Sequence, residues 1–406
     1  MKPLSHMLAL CAALALSAAP ILAFPTPSSS SSASQAIEPK VPPVPIVIWH
    51  GLGDRYDAAG LLSLKADLEA RPDLEGVFVH IVGISEDGAA DQRATFFGYA
   101  QSQIALVCDQ LRALPELVDP KLNPHGVFDV LGFSQGGQLL RGVVEKCGGE
   151  KGGLKVRNLI TVGSQHMGIS AMPPCPPGSS PFSPCRLMHL SLVREGLYSS
   201  WAQHQVIPAQ YWREQERVDE YLKVNTFLKD INNERVGDEQ PDEGEEDDEW
   251  VMVGEEDEPR NATYKENFSS LNRFVMLRFS EDLTVVPPHS SHFTLPSPNA
   301  TNCPTPPLPS DPSCYSTPLP WSSLPLYTHD YIGLRALDEK GRIVKGVCEG
   351  AHMEISEECW EGVVRWFGKR GEKGPAGEGA VERGEEVWYV ASSPEEEEQT
   401  RFVVQM

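Results

Sequence analysis

Short runs of continuous apolar residues alternate along the chain with segments whose apolar residues recur at helical spacing. Continuous apolar runs suit strands that are covered on both faces, and strands alternating with helices are typical of a parallel sheet. Strands are predicted at 45–50, 78–84, 126–133, 158–166, 274–282 and 342–347. Helices are predicted at 99–114, 137–147 and 355–368. We therefore expect an α/β fold with a mostly parallel central sheet and helices on both faces.

Three stretches depart from this alternation. Between the fourth and fifth predicted strands, residues 168–272 contain helices predicted near 186–230 and a strongly acidic run. We interpret them as an insertion over one edge of the sheet, with 236–260 as a disordered loop. Residues 296–325 are proline-rich and are predicted to form an irregular loop. The tail from 369 to 406 lacks periodicity, and we expect it to be disordered.

The N-terminal 23 residues have the organisation of a secretory signal peptide. Lys2 precedes the apolar run MLALCAALALSAAPILA, which ends at Ala23 and is too short to span a membrane comfortably. We expect cleavage near Ala19 or Ala23, with an uncleaved anchor as the alternative, and no transmembrane span in the mature chain. Residues 24–43 form a Pro/Ser linker with nothing to bury, so the folded part is expected to begin at Val44.

Cysteines and sequons agree with export. Eight cysteines remain once the signal is removed, and an even number in a secreted chain indicates disulfides. Cys303 and Cys314 lie in the proline-rich loop, where we expect them to bridge its base. Three Asn-X-Ser/Thr sequons predict glycosylation at Asn261, Asn267 and Asn299.

The charge distribution argues against one class of partner. The net charge is −23, but thirteen Asp and Glu fall between residues 238 and 258, so the rest of the chain is closer to neutral. No block rich in Lys and Arg is present, which argues against nucleic-acid binding. The acidic run lacks the Asp/Gly spacing of an EF-hand, so we interpret it as a solvated charge run rather than a metal site.

The third predicted strand ends in Gly-Phe-Ser-Gln-Gly, residues 132–136, and a predicted helix follows at once. A serine between glycines at a strand–helix junction is typical of a nucleophile elbow, in which the glycines relieve crowding around strained backbone. Ser134 is therefore the candidate nucleophile, and the N–H of Gln135 at the helix start is a candidate oxyanion donor. The alternative is an ordinary glycine-rich turn. Neither glycine pattern of a phosphate-binding loop occurs there, and we expect no cofactor.

A nucleophilic serine needs a base and an acid that orients the base, in the chain order Ser, Asp or Glu, His on this architecture. His352 lies in a loop between the last predicted strand and the last helix, where it can reach over the carboxyl edge of the sheet. Asp282 directly follows the fifth predicted strand and is the candidate acid, with Glu281 and Asp330 as alternatives. We interpret His166, which follows the fourth strand, as a hydrogen-bonded structural histidine.

The loop HGLGD, residues 50–54, follows the first predicted strand. A loop at this position can supply the second oxyanion donor, and the backbone N–H of Leu52 is the candidate. The alternative is that Leu52 only fills the loop.

With these residues in place, the chain closely resembles the palmitoyl-protein thioesterases, which are lysosomal or secreted α/β-hydrolases that remove fatty acyl groups from cysteine. The resemblance runs from about Val44 to Gly368. It rests on VIWHGLGD, GFSQGGQLLR, NLITVGSQHMG, AQYW, FLKDINNER, LYTHD, GLRALDEKG and EGAHMEISEECW. It implies one catalytic domain over 44–368, with Ser134 as nucleophile, Asp282 as acid and His352 as base.

The resemblance also implies further residue roles. Oxyanion donation would come from Leu52 and Gln135, and Gln165 would lie beside the thioester end of the acyl groove. The implied disulfides are Cys108–Cys147 and Cys175–Cys185. The acidic insertion, the 296–325 loop and the tail depart from the family pattern. Cys348 and Cys359, which flank the His352 loop, also fall outside it and could form an extra bridge or remain free thiols.

The expected reaction is hydrolysis of long-chain acyl thioesters on S-palmitoylated proteins through an acyl-enzyme. We expect a monomer without metal or cofactor, and the segment from Gly168 to about Asn225 is best placed to line an apolar groove for the chain. Two other readings stay open. One is a secreted lipase or esterase of the same fold that acts on oxyesters, and the other is a non-catalytic binding module on a hydrolase scaffold.

Overall fold

The computed structural model describes residues 41–236, 260–296 and 318–368, together with the strand segments 380–383, 386–389 and 402–403. The predicted signal peptide, most of the linker and most of the acidic loop lie outside the described residues. So do Asn299 and the predicted bridge between Cys303 and Cys314.

An eight-stranded sheet forms the centre of the described chain, in the order β10-β11-β8-β5-β4-β3-β1-β2. Its strands are β1 Ile46–Trp49, β2 Val79–Ile81, β3 Phe128–Phe133, β4 Val156–Val162, β5 Arg273–Phe279, β8 Ile343–Cys348, β10 Ala380–Arg383 and β11 Glu386–Tyr389. All neighbours are parallel except β10 and β11. Four short strands, β6 Leu295–Pro296, β7 Pro318–Leu319, β9 Glu354–Ile355 and β12 Phe402–Val403, form two antiparallel pairs, β6 with β7 and β9 with β12.

Helices connect the strands. They are α1 Ala59–Ala70, α2 Gly88–Phe96, α3 Ala100–Arg112, α4 Pro115–Val118, α5 Gln135–Cys147, α6 Gly149–Gly152, α7 Pro184–Glu195, α8 Ser200–Gln205, α9 Val218–Val224, α10 Leu228–Ile231, α11 Ala262–Phe268, α12 Pro325–Thr328, α13 Leu334–Asp338 and α14 Glu357–Val364. The α/β fold predicted from the sequence is confirmed. Among the described residues, no helix is both long enough and apolar enough to cross a bilayer.

The continuous apolar runs form strands because both faces of the sheet are covered. In β1, Val47 and Trp49 join one hydrophobic core, whereas Ile46 and Ile48 join a second core on the other face. Successive side chains of a strand point to opposite faces, so a strand with two covered faces needs apolar residues at every position. All four residues of β1 are accordingly buried.

The prediction that the chain beyond residue 369 is disordered is wrong at β10 and β11. Strand β11 lies parallel beside β8, and the Glu386 carboxylate joins it to the sheet. Its two oxygens lie 2.8 Å from Arg278 Nη2 and 2.9 Å from His292 Nδ1. Burial opposes ionisation of Glu386, but these two hydrogen bonds outweigh it and hold the pKa well below the usual range.

The prediction of an irregular loop over 296–325 is wrong at its ends. Leu295–Pro296 pairs antiparallel with Pro318–Leu319, and helix α12 begins at Pro325. The short ladder closes the two ends of the segment on each other.

Three disulfides between described cysteines join elements around the sheet. Cys108–Cys147 ties α3 to the last residue of α5, and Cys175–Cys185 closes a loop onto the start of α7. Cys348–Cys359 connects the end of β8 to α14, which decides between the bridge and the free thiols left open by the sequence.

Candidate active site

Three of the predicted site residues meet at the carboxyl edge of the sheet. Asp282 Oδ2 lies 2.6 Å from His352 Nδ1, and His352 Nε2 lies 3.1 Å from Ser134 Oγ. An ionised carboxylate can only accept, so Nδ1 carries the ring proton and Nε2 presents a lone pair to the serine hydroxyl. All three side chains are buried or nearly so. This is the geometry of a nucleophile, a base and an orienting acid.

Ser134 stands in strained backbone between β3 and α5. Its φ of 49° and ψ of −122° lie in a region that side chains rarely adopt. The glycines around it permit the close packing that this turn requires. A Cβ on Gly132 would clash with the backbone of Gly137, and one on Gly136 would clash with the carbonyl oxygens of Trp49 and His50. The turn therefore needs glycine at these positions.

His352 is held by its own loop and by a glycine of the neighbouring strand end. Gly163 has a φ of +62°, and a Cβ there would lie 2.9 Å from His352 Cε1, so only glycine leaves room for the ring. The His352 loop is also tied to the loop after β5, because Gly350 N donates to Ser280 Oγ at 3.1 Å and Glu281 N donates to Gly350 O at 2.9 Å. Base and acid are thereby positioned as one unit.

The carboxylate of Asp282 is fixed by backbone donors. Its Oδ1 accepts from Thr284 N at 2.9 Å and from Val285 N at 2.8 Å, which leaves Oδ2 for the histidine. Of the alternative acids, Glu281 is exposed, whereas Asp330 accepts from Arg335 N and pairs with Lys265. The structure thus places Asp282, and neither alternative, against the base.

Both candidate oxyanion donors lie next to the nucleophile. Gln135 is the first residue of α5, so its N–H has no carbonyl from a preceding turn to bind. On the other side, the loop after β1 packs against Ser134, since a Cβ on Gly51 would lie 3.1 Å from Ser134 Cβ. Leu52 follows directly and is 8% exposed. The two N–H groups therefore belong to segments that flank the serine.

The loop after β1 is anchored by a pair that the sequence analysis missed. Asp91 of α2 contacts His50 Nε2 at 2.8 Å, Tyr56 N at 2.9 Å and Ile84 N at 2.7 Å. Burial opposes ionisation of Asp91, but these donors outweigh it and lower its pKa. A histidine opening the HGLGD loop was a usable signal for His50, whereas nothing in the sequence marked Asp91.

Gln165 lies at the end of β4 and is 2% exposed. Its backbone oxygen accepts from Gln138 Nε2 of α5 at 2.8 Å, whereas its Oε1 is buried without a hydrogen-bond partner among the described residues. Nearby, the Tyr211 hydroxyl donates to Gln135 Oε1 at 3.0 Å, so the side chain beside the oxyanion donor is also fixed.

Two other predicted residues lie away from the reacting groups. His166 is fully buried, contacts Thr161 Oγ1 at 3.0 Å and stacks on Phe293, and burial holds its pKa well below the usual value. The glycosylation prediction at Asn267 is wrong, because the side chain is 3% exposed and its Nδ2 donates to Glu145 O at 2.9 Å. A glycan on that nitrogen would have to displace the buried contact. Asn261 is exposed and stays a prediction.

A pocket of about 570 Å³ opens beside the oxyanion loop, within the usual size range of ligand sites. One wall comes from Leu52, Gly53, Gln92 and Phe96. The other comes from the start of the insertion, at Pro173–Pro177, Ser179 and Ser183–Cys185. Cys175, Cys185 and His189 also have ligand atoms close enough together for a metal, but both sulfurs are committed to their disulfide.

Comparisons with known proteins show which family this chain resembles. The family model described as palmitoyl protein thioesterase matches residues 45–352. Palmitoyl-protein thioesterase 1 of Caenorhabditis elegans is 30% identical over 77% of this chain and 87% of its own length. Palmitoyl-protein thioesterase 3 of Dictyostelium discoideum is 26% identical over 74% of this chain and 81% of its own. A solved monoacylglycerol lipase of Paleococcus ferrophilus covers 80% of this chain and 95% of its own at 12% identity, with a TM-score of only 0.32.

Proposed function

Since the chain belongs to the palmitoyl-protein thioesterase family, we propose that it hydrolyses long-chain fatty acyl thioesters on S-acylated cysteines of proteins. The observation that carries this proposal is the hydrogen-bonded chain from Asp282 through His352 to Ser134, set beside a pocket in the insertion. The reaction needs a nucleophile, a base and a place for the acyl chain, and the three occur together.

In the first half of the reaction, Ser134 Oγ attacks the acyl carbonyl carbon while His352 Nε2 takes the hydroxyl proton. The N–H groups of Gln135 and Leu52 stabilise the oxyanion that develops. When the tetrahedral intermediate collapses, the C–S bond breaks and His352 returns the proton to the leaving sulfur. A cysteine thiol has a pKa of about 8.5, so it leaves with less acid assistance than an alkoxide would need.

In the second half, His352 takes a proton from water, and the resulting hydroxide attacks the acyl-serine carbonyl. Collapse breaks the C–Oγ bond, releases the fatty acid and returns the proton to Ser134. Asp282 stays ionised throughout and stabilises the imidazolium that forms in each half. Its two backbone donors support this role, because they hold the carboxylate against the ring.

We assign the acyl chain to the pocket between Leu52 and the Cys175–Cys185 loop. Gly51 packs on Ser134, and its sequence neighbour Leu52 lines the pocket. The acyl chain would therefore lie beside the segment that contacts the reacting serine. We assign Gln165 a contact with the substrate polypeptide, because its Oε1 lacks a hydrogen-bond partner among the described residues. Three disulfides support a route through the secretory pathway, with the lysosome or the extracellular space as the destination.

Release of thiol from an S-palmitoylated peptide tests this proposal. Wild type should turn the peptide over, and Ser134→Ala should lower kcat by about 10⁴-fold or more. Ser164→Ala is the matched control, because Ser164 is an equally buried serine at the end of β4 and should keep most of the activity. Equal rates in wild type and Ser134→Ala would remove the assignment of the nucleophile.

A matched pair of substrates separates the proposal from its closest alternative. The same peptide with palmitate on serine presents an oxyester of equal chain length. We expect a higher kcat/KM for the thioester, since the thiol is the better leaving group. A strong preference for the oxyester would instead assign the chain to the lipases and esterases.

A further inference from the structure

Helix α7 is apolar on two sides. Its inner face buries Met188 and Leu192 in a small core with Leu52 and Phe96, which also line the pocket. Its outer face carries Leu187, Leu190 and Val193 at a spacing of three residues, which places them on one stripe. Their side chains are 39%, 65% and 86% exposed. An ordinary surface helix would present polar residues there.

Two aromatic residues that flank α7 in the sequence are also exposed. Phe182, two residues before α7, is 82% exposed, and Trp201 of α8 is 42% exposed. Of the thirteen large apolar side chains that are exposed among the described residues, five lie between residues 182 and 201. Single exposed apolar residues need no explanation, but five in one short segment that also contributes to the pocket lining mark an interaction surface. We call these five residues the rim patch.

Charge separates the rim patch from the rest of the molecule. The chain has 57 Asp and Glu against 34 Lys and Arg, yet residues 171–206 contain one acid, Glu195, and two bases, Arg186 and Arg194. Both arginines are exposed, and Arg194 Nε pairs with Glu195 Oε1 at 3.2 Å, so Arg186 supplies the net positive charge of the segment. The segment that frames the pocket therefore carries a slight positive charge on a strongly acidic protein, which matches a negatively charged apolar surface.

We propose that the rim patch docks on the surface of a lipid bilayer that contains anionic lipids. Exposed Leu and Val on one face, aromatic residues at the edge and arginines beside them form the side-chain pattern that sits at a bilayer interface. The inference rests on the proposed function, because a palmitoyl chain on a protein is ordinarily inserted in a membrane. Ser183, Pro184 and Cys185 at the start of α7 line the pocket, so docking through the outer face of this helix would hold the pocket close to the bilayer.

A second copy of this chain fits the rim patch less well. Association through this surface would enclose Arg186 of both copies, whereas Glu195, the acid of this segment, already pairs with Arg194 of its own copy. The outer stripe also faces away from α7's own core, so it is not needed to complete the fold. Anionic headgroups, in contrast, would pair with the arginines while the apolar side chains enter the interface.

Vesicle binding tests the proposal independently of catalysis. In the Ser134→Ala background, Leu190→Gln with Val193→Gln should lower partitioning onto phosphatidylcholine vesicles containing phosphatidylglycerol by about tenfold. The matched control, Leu62→Gln with Leu106→Gln, changes residues of α1 and α3 that are 48% and 49% exposed and should leave partitioning unchanged. Arg186→Gln with Arg194→Gln should abolish the difference between vesicles with and without phosphatidylglycerol.

Equal partitioning of the rim variant and the control would overturn the proposal. So would a wild-type dimer in sedimentation equilibrium that the rim variant converts to monomer, because the patch would then join two copies. With active protein, the rim variant should lose turnover of a vesicle-anchored palmitoyl peptide but keep that of a soluble short-chain thioester. An equal loss on both would show that the rim variant damages the active site itself, and it would contradict the docking proposal. Absence of thioester turnover in wild type would refute the proposed function, while vesicle binding would still decide the docking surface.

Discussion

Helices α5 and α7 have nearly the same length, both lie beside the site, and each is tied by a disulfide, yet they are built differently. In α5, twelve of thirteen residues are buried, and the helix starts at the nucleophile. In α7, only three of twelve residues are buried, and much of its exposed surface is apolar. The comparison separates two tasks. A helix that must hold a reacting atom is packed on every side, whereas a helix that receives a substrate leaves apolar surface uncovered.

Packing around α5 gives the largest expected effect. Gly136→Ala places a Cβ against two backbone carbonyl oxygens, which cannot move aside, so we expect a loss of about 4 kcal/mol or more in the free energy of unfolding. Gly142→Ala in the same helix meets only the tip of Ile104 at 2.6 Å and gains helix propensity, so its net effect should be below about 1 kcal/mol. Urea denaturation measures both. Equal stabilities would show that the elbow is not tightly packed.

The two disulfides should differ in what they stabilise. Cys108–Cys147 spans 39 residues within the main core, so replacing both cysteines by alanine should lower the global free energy of unfolding by about 4 kcal/mol. Cys175–Cys185 spans 10 residues at the pocket rim, and its loss should cost about 3 kcal/mol of local order. We expect faster proteolysis within 172–195 with an unchanged urea midpoint. A lower urea midpoint in the variant without Cys175–Cys185 would show that α7 unfolds together with the main core.

The loop after β1, which contains Asp54, should make the free energy of unfolding depend on pH. Asp54 is 3% exposed, one of its carboxylate oxygens has no partner in the described part of the chain, and burial raises its pKa to about 6. An acid whose pKa is higher in the folded state binds its proton more tightly there, so this contribution is complete below about pH 4 and is lost as pH rises to about 6. The change is about 3 kcal/mol at most.

Asp54→Asn should remove that dependence. Thermal unfolding at pH 4 and at pH 7 should differ less in Asp54→Asn than in wild type. Asp57→Asn, in the same loop but more exposed, serves as the control and should behave like wild type. An unchanged difference in Asp54→Asn would mean that the carboxylate is already ionised and hydrated in the folded state.

Much of the sheet and the three reacting residues could be predicted because the signal is local. The inner strands are rich in apolar residues, and Ser134, Asp282 and His352 each follow a strand in the order that the chemistry requires. The bridge between Cys348 and Cys359 could only be left open, since pairing depends on distance in space.

The misses share one physical cause, which is dependence on a distant partner. Strand β11 is four residues long and begins at a pair of acidic residues, and it forms beside β8 with Glu386 reaching Arg278 and His292. The residues that follow Asn267 complete a glycosylation sequon, but its side chain is bound to the backbone of Glu145, which is more than a hundred residues away in the sequence. Asp91 holds His50 from a helix with no distinguishing pattern.

Covalent labelling tests the central claim most directly, namely that Ser134 is a nucleophile activated by His352. A fluorophosphonate probe should label the folded wild-type protein, and peptide mapping should find the adduct on Ser134. Ser134→Ala should not be labelled, and His352→Ala should be labelled far more slowly. An adduct on another residue, or no adduct on folded wild type, would contradict the account and favour a binding module on a hydrolase scaffold.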